Sequence, residues 1–226
     1  MLVKPKVLIY NNFLDQNEWS AIHNYCITNN NDFQFLGAGE SPVRFKKEKH
    51  SSKDIFYEKC FILDSDFYEM LKNGDATEPY PESLGNNVDW KVSMQHPKDE
   101  YVYELINKIT LLTQKAIADI YGHSTVWEFG PFVSKISEGQ SLRLHCDGAQ
   151  YTLPNYPMTD YSAVYYINND YEGGENVMPA IGLNYKPEPN SLMIVSNASH
   201  EDSIHGIEKV TKGSRYMSQN FYTIVV

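Results

Sequence analysis

The stretch SLRLHCDG, residues 141–148, sets His145 and Asp147 two positions apart. In a strand, successive side chains point to opposite faces. Leu142 and Leu144 then point one way, and Ser141, Arg143 and His145 the other. If the extended backbone continues, Asp147 joins the face of His145 and Cys146 turns away. An imidazole and a carboxylate so placed can reach one ion, and the thiol cannot. The same pair also describes a polar strand end, so the rest of the chain has to supply the missing partners.

The C-terminal run HEDSIHGIEKVTKGSRYMSQNFYT, residues 200–223, offers them. His205 is a second imidazole. Arg215 follows ten residues later, beyond a turn at Lys212 and Gly213, and begins another strand. Two His and one carboxylate on one face of a metal leave three positions open, the arrangement suited to non-haem Fe(II) oxygen chemistry. Such a site needs a co-substrate that supplies electrons. A 2-oxo acid can chelate iron through its keto oxygen and one carboxylate, and a guanidinium pairs bidentately with its remote carboxylate. Arg215 is the natural candidate. His200, five residues before His205 and nine before Lys209, is the rival third ligand. His205 is preferred because residues 205–213 have the turn and strand shape needed to present Arg215. His23, His50, His96 and His123 read as surface or core residues.

The chain has 226 residues, enough for a substantial core, and 42% of them are hydrophobic, which separates it from disordered sequences. A net charge of −10 disfavours nucleic acid as the main partner. Three widely spaced cysteines (Cys26, Cys60, Cys146) without a CxxC fit a reducing compartment. The N-terminal apolar run is interrupted by Pro5 and two lysines and does not read as a signal peptide. No stretch approaches the roughly 20 apolar residues of a membrane span. These observations together predict a cytoplasmic protein.

Residues 6–14 read as a buried strand and turn. Asp15 with Glu18 has capping-box spacing, and Leu14 with Trp19 that of a hydrophobic staple, so a helix of about three turns should follow with Trp19, Ile22 and Cys26 inward. Residues 36–54 read as a basic loop carrying Arg44, Lys46, Lys47, Lys49 and Lys53. A strand at 55–63, a short helix at 64–74 and irregular chain to 90 come next. Residues 97–122 are the strongest helix, with Tyr101, Leu105, Ile109, Leu112, Ala116 and Ile120 on one face, Asp99 and Glu100 in the first turn and Gly122 at the end. After Gly122 the pattern changes to short strands at 128–136, 140–145, 161–168, 190–196 and 214–226, which suggests a β sandwich or barrel.

In order, HxD, the stretch YSAVYYINNDYEGGENVMP (161–179) and then HGIEKVTKGSRY (205–216) resemble the 2-oxoglutarate- and Fe(II)-dependent dioxygenases, most of all the prolyl 4-hydroxylase-like branch. The match covers roughly residues 130–223. It rests on His145, Asp147, Gly173-Gly174-Glu175, Pro179, His205 and Arg215. The resemblance implies an α+β fold, a double-stranded β-helix (jelly-roll) core with supporting N-terminal helices. It implies one domain over 1–226, helix-rich in 1–125 and metal-binding in 126–226. His145, Asp147 and His205 would bind Fe(II). Arg215, with Tyr166, would hold 2-oxoglutarate, and O2 would be the oxidant, with ascorbate as a further cofactor. Asp147 favours hydroxylation, because related halogenases replace that carboxylate by a small residue. Phe221 falls on the strand face of Arg215, as a pocket wall or as core. Many relatives carry a tyrosine in the strand before HxD, where this chain has Lys135 and Ile136. Asn190 stands where a glycine is usual and tolerates a left-handed backbone.

The implied activity is C–H hydroxylation of a peptidyl prolyl or other protein side chain. A small-molecule or free amino acid hydroxylase, a nucleic-acid demethylase of the superfamily and a non-catalytic binding protein with the same fold are the alternatives; the acidic balance weighs against the demethylase. The loops 37–54 and 148–160 are candidate lids. Oligomeric state is not encoded in any pattern found.

Overall fold

A computed structural model describes residues 5–36, 92–95, 97–127, 133–145, 147, 159–197 and 200–225. The basic loop, the strand and helix expected at 55–74, the irregular chain to 90 and residues 148–158 of the second loop lie outside the described residues.

β1 (Val7–Asn11) leads into helix α1 (Gln16–Thr28). Asp15 caps that helix, its carboxylate accepting from the amides of Asn17 at 2.9 Å and Glu18 at 3.0 Å. The Glu18 carboxylate meets Lys108 at 2.5 Å. Ile22 and Cys26 are buried, and the Trp19 indole donates to the Ile167 carbonyl at 2.7 Å. After β2 (Gln34–Leu36) and β3 (Val92–Gln95) comes helix α2 (Glu100–Tyr121), capped by Asp99 and ended by Gly122 at φ 70°.

The buried stripe of α2 differs from the expected one. It runs through Val102, Leu105, Ile106, Ile109, Thr110, Thr113, Ile117 and Tyr121, while Tyr101 and Ile120 are exposed. Two threonines explain the rotation. Thr110 bonds to Asn220 across the interface, and Thr113 returns its hydroxyl to the Ile109 carbonyl. A stripe that contains hydroxyls is invisible to a search for apolar periodicity alone. Ile22, Ile106, Ile109 and Ile117 are fully buried. At about 2 kcal/mol each, they outweigh the ~1 kcal/mol of a helix cap, so packing fixes where the helices lie.

The remaining elements are β4 (Thr125–Trp127), β5 (Val133–Ser137), β6 (Leu142–His145), β7 (Tyr161–Tyr166), β8 (Glu172–Gly173), β9 (Asn176–Met178), a 3-10 turn (Pro179–Ile181), β10 (Leu183–Tyr185), β11 (Ser191–Ser196), a single helical turn α3 (His200–Ser203), β12 (His205–Ile207), β13 (Val210–Lys212) and β14 (Ser214–Ile224). Among the described residues, eight strands form one antiparallel sheet in the order β1-β11-β7-β14-β5-β3-β2, with β4 also on β14. Four more form a second sheet, β10-β9-β12-β6, and β13 pairs with β8.

Alternation along β14 separates two cores. Tyr216 and Tyr222 join α1 and α2 in an outer core with Tyr165, Leu192 and Ile194. Met217 joins Ile136, Tyr166, Met193 and Val195 of the large sheet, and Met178 and Ile207 of the small one, in an inner core. The inner core therefore lies between the two sheets, and the helices brace the outer face of the larger. This is the expected jelly roll.

Asn190 adopts φ 57°. Its amide oxygen accepts from the Leu14 amide and the Tyr165 hydroxyl, and its nitrogen donates to the Leu14 carbonyl. Glycine would tolerate the backbone and keep the bond from the Phe13 amide to the carbonyl of residue 190, but would lose the side-chain bonds to Leu14 and Tyr165.

Candidate active site

The small sheet sets β6 against β12 with His145 directly opposite His205. Leu142 pairs with Ile207, and the register shifts between the two pairs. A bulge of this kind breaks strict alternation. The face of Leu142, which packs into the inner core, therefore does not determine the face of position 145, as simple alternation over 141–145 had implied. The side chains of His145 and His200 lie outside the described residues. His200 opens α3, whereas His205 opens β12.

The Nδ1 of His205 lies 2.8 Å from the Ser203 carbonyl. A carbonyl only accepts, so Nδ1 carries a proton, and in the neutral ring Nε2 then offers its lone pair. Metal-binding imidazoles are commonly oriented this way. That Nε2 stands 3.4 Å from Oδ2 of Asp147, with both side chains largely buried. A neutral imidazole nitrogen and a carboxylate oxygen repel through their lone pairs unless they share a cation. Two atoms each about 2.1 Å from one metal ion, at roughly a right angle, lie about 3 Å apart. The spacing fits a shared ion.

Arg215 begins β14 opposite Ile136 and is fully buried. Nη1 donates to the Gly174 carbonyl, and Nη2 to Oδ1 of Asn176 at 2.8 Å. Its guanidinium carbon sits 5.1 Å from the centre of the Tyr166 ring. Among the described residues its partners are neutral oxygens rather than a carboxylate, and Nε has none. A buried charge without a counter-ion costs several kcal/mol, so the site calls for an anion. Tyr166 is also fully buried; burial raises its phenol pKa and the adjacent guanidinium opposes that. Its hydroxyl points at the Met193 sulfur, 3.7 Å away.

The Gly-Gly turn is needed here. Gly173 and Gly174 both have positive φ, and a Cβ on Gly173 would stand 2.2 Å from the Lys209 carbonyl oxygen. Only this turn delivers the Gly174 carbonyl to Arg215. Asn176 starts β9 directly opposite Ile207 of β12, and so links the strand of His205 to the guanidinium in the facing sheet. Lys135 faces the outer core, where its ammonium reaches the Asn30 carbonyl at 3.1 Å. Burial lowers its pKa. Ile136, the neighbouring residue, fills the inner side.

Of the residues singled out in the sequence, the fold brings His205 to Asp147 by the small sheet and Arg215 to Tyr166 on the large one. The sequence reading did not single out Asn176 or the carbonyls of Gly174 and Ser203, which touch these groups. The carbonyls leave no trace in residue type. Asn176, two positions after the Gly-Gly pair, was the one available signal.

Residues 131–223 match the family described as the 2OG-Fe(II) oxygenase superfamily. The match covers less than half of the chain, and its description names Fe(II) and 2-oxoglutarate. The nitrogen–carboxylate pair and the buried guanidinium fit these two. Prolyl 3-hydroxylase 2 of Homo sapiens is 35% identical over 74 residues, which is 31% of this chain and 10% of the relative. The chain therefore spans about a tenth of the length of the curated relatives it matches. Among solved structures, a viral collagen prolyl hydroxylase from Paramecium Bursaria Chlorella virus-1, in complex with 2OG, superimposes with a TM-score of 0.58 at 14% identity, covering 98% of this chain and 97% of that one. A prolyl hydroxylase from Trichoplax adhaerens, in complex with a hypoxia inducible factor peptide, gives 0.57 at 12% identity over 96% and 83%. These likenesses carry the fold. No helix among the described residues is long and apolar enough to cross a membrane.

Proposed function

We propose that this chain is an Fe(II)- and 2-oxoglutarate-dependent dioxygenase that hydroxylates a C–H bond of a peptidyl prolyl or other protein side chain. The observation that carries the reading is Arg215: a fully buried guanidinium without a carboxylate partner among the described residues, facing the same inter-sheet space as Ile207, two residues along β12 from His205. His145, Asp147 and His205 would hold the metal, and Arg215 with Tyr166 the remote carboxylate of 2-oxoglutarate. Together with O2, these groups supply the oxidant for the C–H bond. The Ser203 carbonyl keeps His205 in the tautomer that offers Nε2. The Gly174 carbonyl and the Asn176 amide fix the plane of the guanidinium. Met178, Met193 and Met217 keep water from the space between the sheets.

The peptide assignment rests on the relatives, one of which was solved with a peptide fragment. A single domain over residues 1–226 is supported by β1, which pairs with β11, and by α1 and α2, which pack on the same sheet. The cysteine pattern supports a cytoplasmic setting, and ascorbate is proposed as the accessory reductant.

The test is an anaerobic visible titration of the apoprotein with Fe(II) and then 2-oxoglutarate. A metal-to-ligand charge-transfer band is expected, lost in His205→Ala, kept in His200→Ala and reached only at higher 2-oxoglutarate concentration in Arg215→Ala. A wild-type protein that binds no iron and gives no band ends the proposal. Succinate release across a prolyl peptide library then reads the substrate.

A further inference from the structure

Ser162 stands on β7 directly opposite Val195 of β11 and Phe221 of β14. Val195 belongs to the inner core. Residues opposite one another in a ladder share a face, so the Ser162 hydroxyl lies on the face turned to the small sheet. Asn197, one residue past β11, is held beside it. Its backbone amide donates to the Asp160 carbonyl at 2.8 Å, and its side-chain amide donates to the Ser162 hydroxyl at 2.8 Å. Both residues are buried, and Oδ1 of Asn197 has no hydrogen-bond partner among the described residues. The Ser162 hydroxyl accepts in the bond to Asn197, and among the described residues nothing accepts its proton. One acceptor and one donor thus go unused side by side. Turning the Asn197 amide over keeps that count. Ser162 would then donate to Oδ1, leaving Nδ2 as the unused donor and the hydroxyl oxygen as the unused acceptor.

The pair lies level with the proposed metal ligands and away from the guanidinium. β12 runs antiparallel to β6, and Val210 of β13 continues that run by donating to the Gln140 carbonyl. The chain then turns at Gly213, which has φ 83°, and β14 runs back along β5. His205 is eight residues before that turn, and Phe221, opposite Ser162, is eight after it. Tyr166, beside Arg215, is four residues further along β7 than Ser162, a separation of about 13 Å in a strand. The chemistry of the missing partner follows from the pair itself. A neutral donor beside a neutral acceptor matches the N–H and C=O of one residue in an extended chain, the two groups that opposing residues exchange in an antiparallel ladder. An ammonium or a carboxylate in that place would be buried against groups that carry no counter-charge.

We propose that Asn197 and Ser162 form a substrate-recognition site that takes the backbone N–H and C=O of one extended residue next to the residue being hydroxylated, so that the enzyme admits peptides over free amino acids. The inference rests on the dioxygenase reading above and deepens its peptide assignment. The test uses the prolyl peptide that releases most succinate in the library described above. It is titrated without oxygen into protein loaded with Fe(II) and 2-oxoglutarate, with its backbone N–H groups replaced by N-methyl one at a time. A methyl at one position beside the reacting residue should raise the Kd roughly tenfold, about 1.4 kcal/mol. In Asn197→Leu the parent peptide should bind roughly tenfold more weakly, the methyl at that position should cost nothing further, and the charge-transfer band should be kept. A parent Kd equal to that of wild type overturns the assignment. Losses that simply add at every methylated position also overturn it, as does loss of the band, because the residue then acts only on structure. Should Asn197→Leu not fold, Ser162→Ala removes a single hydroxyl: it should weaken the parent peptide by a similar factor with the band kept, and a wild-type Kd there sinks the idea. If no peptide in the library releases succinate, the assignment falls with the peptide reading, while the band with iron and 2-oxoglutarate still upholds the dioxygenase one.

Discussion

The two faces of the large sheet treat their tyrosines differently. On the outer face, Tyr165 donates to Asn190, Tyr216 to Asn30, Tyr222 to the Thr110 carbonyl and Tyr121 to the Pro5 carbonyl. Within the inner core, the Tyr171 hydroxyl has no partner among the described residues and the Tyr166 hydroxyl points at a sulfur, with the Asn176 amide beside it. Ser218 and Thr125, whose buried hydroxyls are unbonded among the described residues, are outer exceptions. Where the sheet meets helices, the fold closes its own hydrogen bonds. Where it meets the facing sheet, it leaves donors and, among the described residues, a cation without a carboxylate partner, an arrangement that suits a bound anion.

If this contrast is right, outer-face substitutions change stability and inner-face substitutions change binding. Asn190→Ala should cost the most, about 3 kcal/mol in urea unfolding, from a left-handed backbone no longer suited to its residue and from the lost bonds to Leu14 and Tyr165. Asn190→Gly should recover the backbone part, and neither should alter 2-oxoglutarate affinity. Arg215→Met should raise the Kd for 2-oxoglutarate about 100-fold, some 2.7 kcal/mol, while the urea midpoint stays at or above wild type, because an apolar chain replaces an unpaired buried charge. A collapse in stability instead would make Arg215 structural and break the comparison. Tyr222→Phe should lower stability by about 1 kcal/mol and leave calorimetric binding untouched.

The smallest effect concerns Asp15, whose pKa is lowered chiefly by the Glu18 amide. A depressed folded pKa means that its stabilisation is present above the ordinary carboxylate value of about 4 and is lost as pH falls through the folded value. Asn also caps helices but does not titrate. The urea midpoints of wild type and Asp15→Asn should therefore converge on acidification; parallel curves would show that the carboxylate charge contributes nothing.

What could be read from the chain follows from how local each signal is. The Asp15 cap, the Gly122 stop and the strands at 133–137, 161–166, 191–196 and 214–224 carry their own period or cap and were anticipated. The strands of the small sheet are two to four residues long and show too few alternations to read. They exist because β12 finds both β9 and β6 at a distance in sequence. The candidate site was legible as an ordered list of residue types, His145, Asp147, His205 and Arg215. The bulge between β6 and β12, the carbonyls that orient His205 and Arg215, and the unbonded Tyr171 are properties of backbone placement, which residue type does not encode.

The unequal lengths of β12 and β14 have a kinetic consequence. Arg215 is anchored in an eleven-residue strand that pairs with β7, β5 and β4. His205 sits at the end of a three-residue strand next to an irregular register. Amide protons along β14 should exchange with solvent only when the whole protein opens, and those of β12 through local fraying. The proposed anion anchor would then persist while the small sheet breathes, and a metal ion held by His205 would be admitted or lost on a timescale far shorter than that of unfolding.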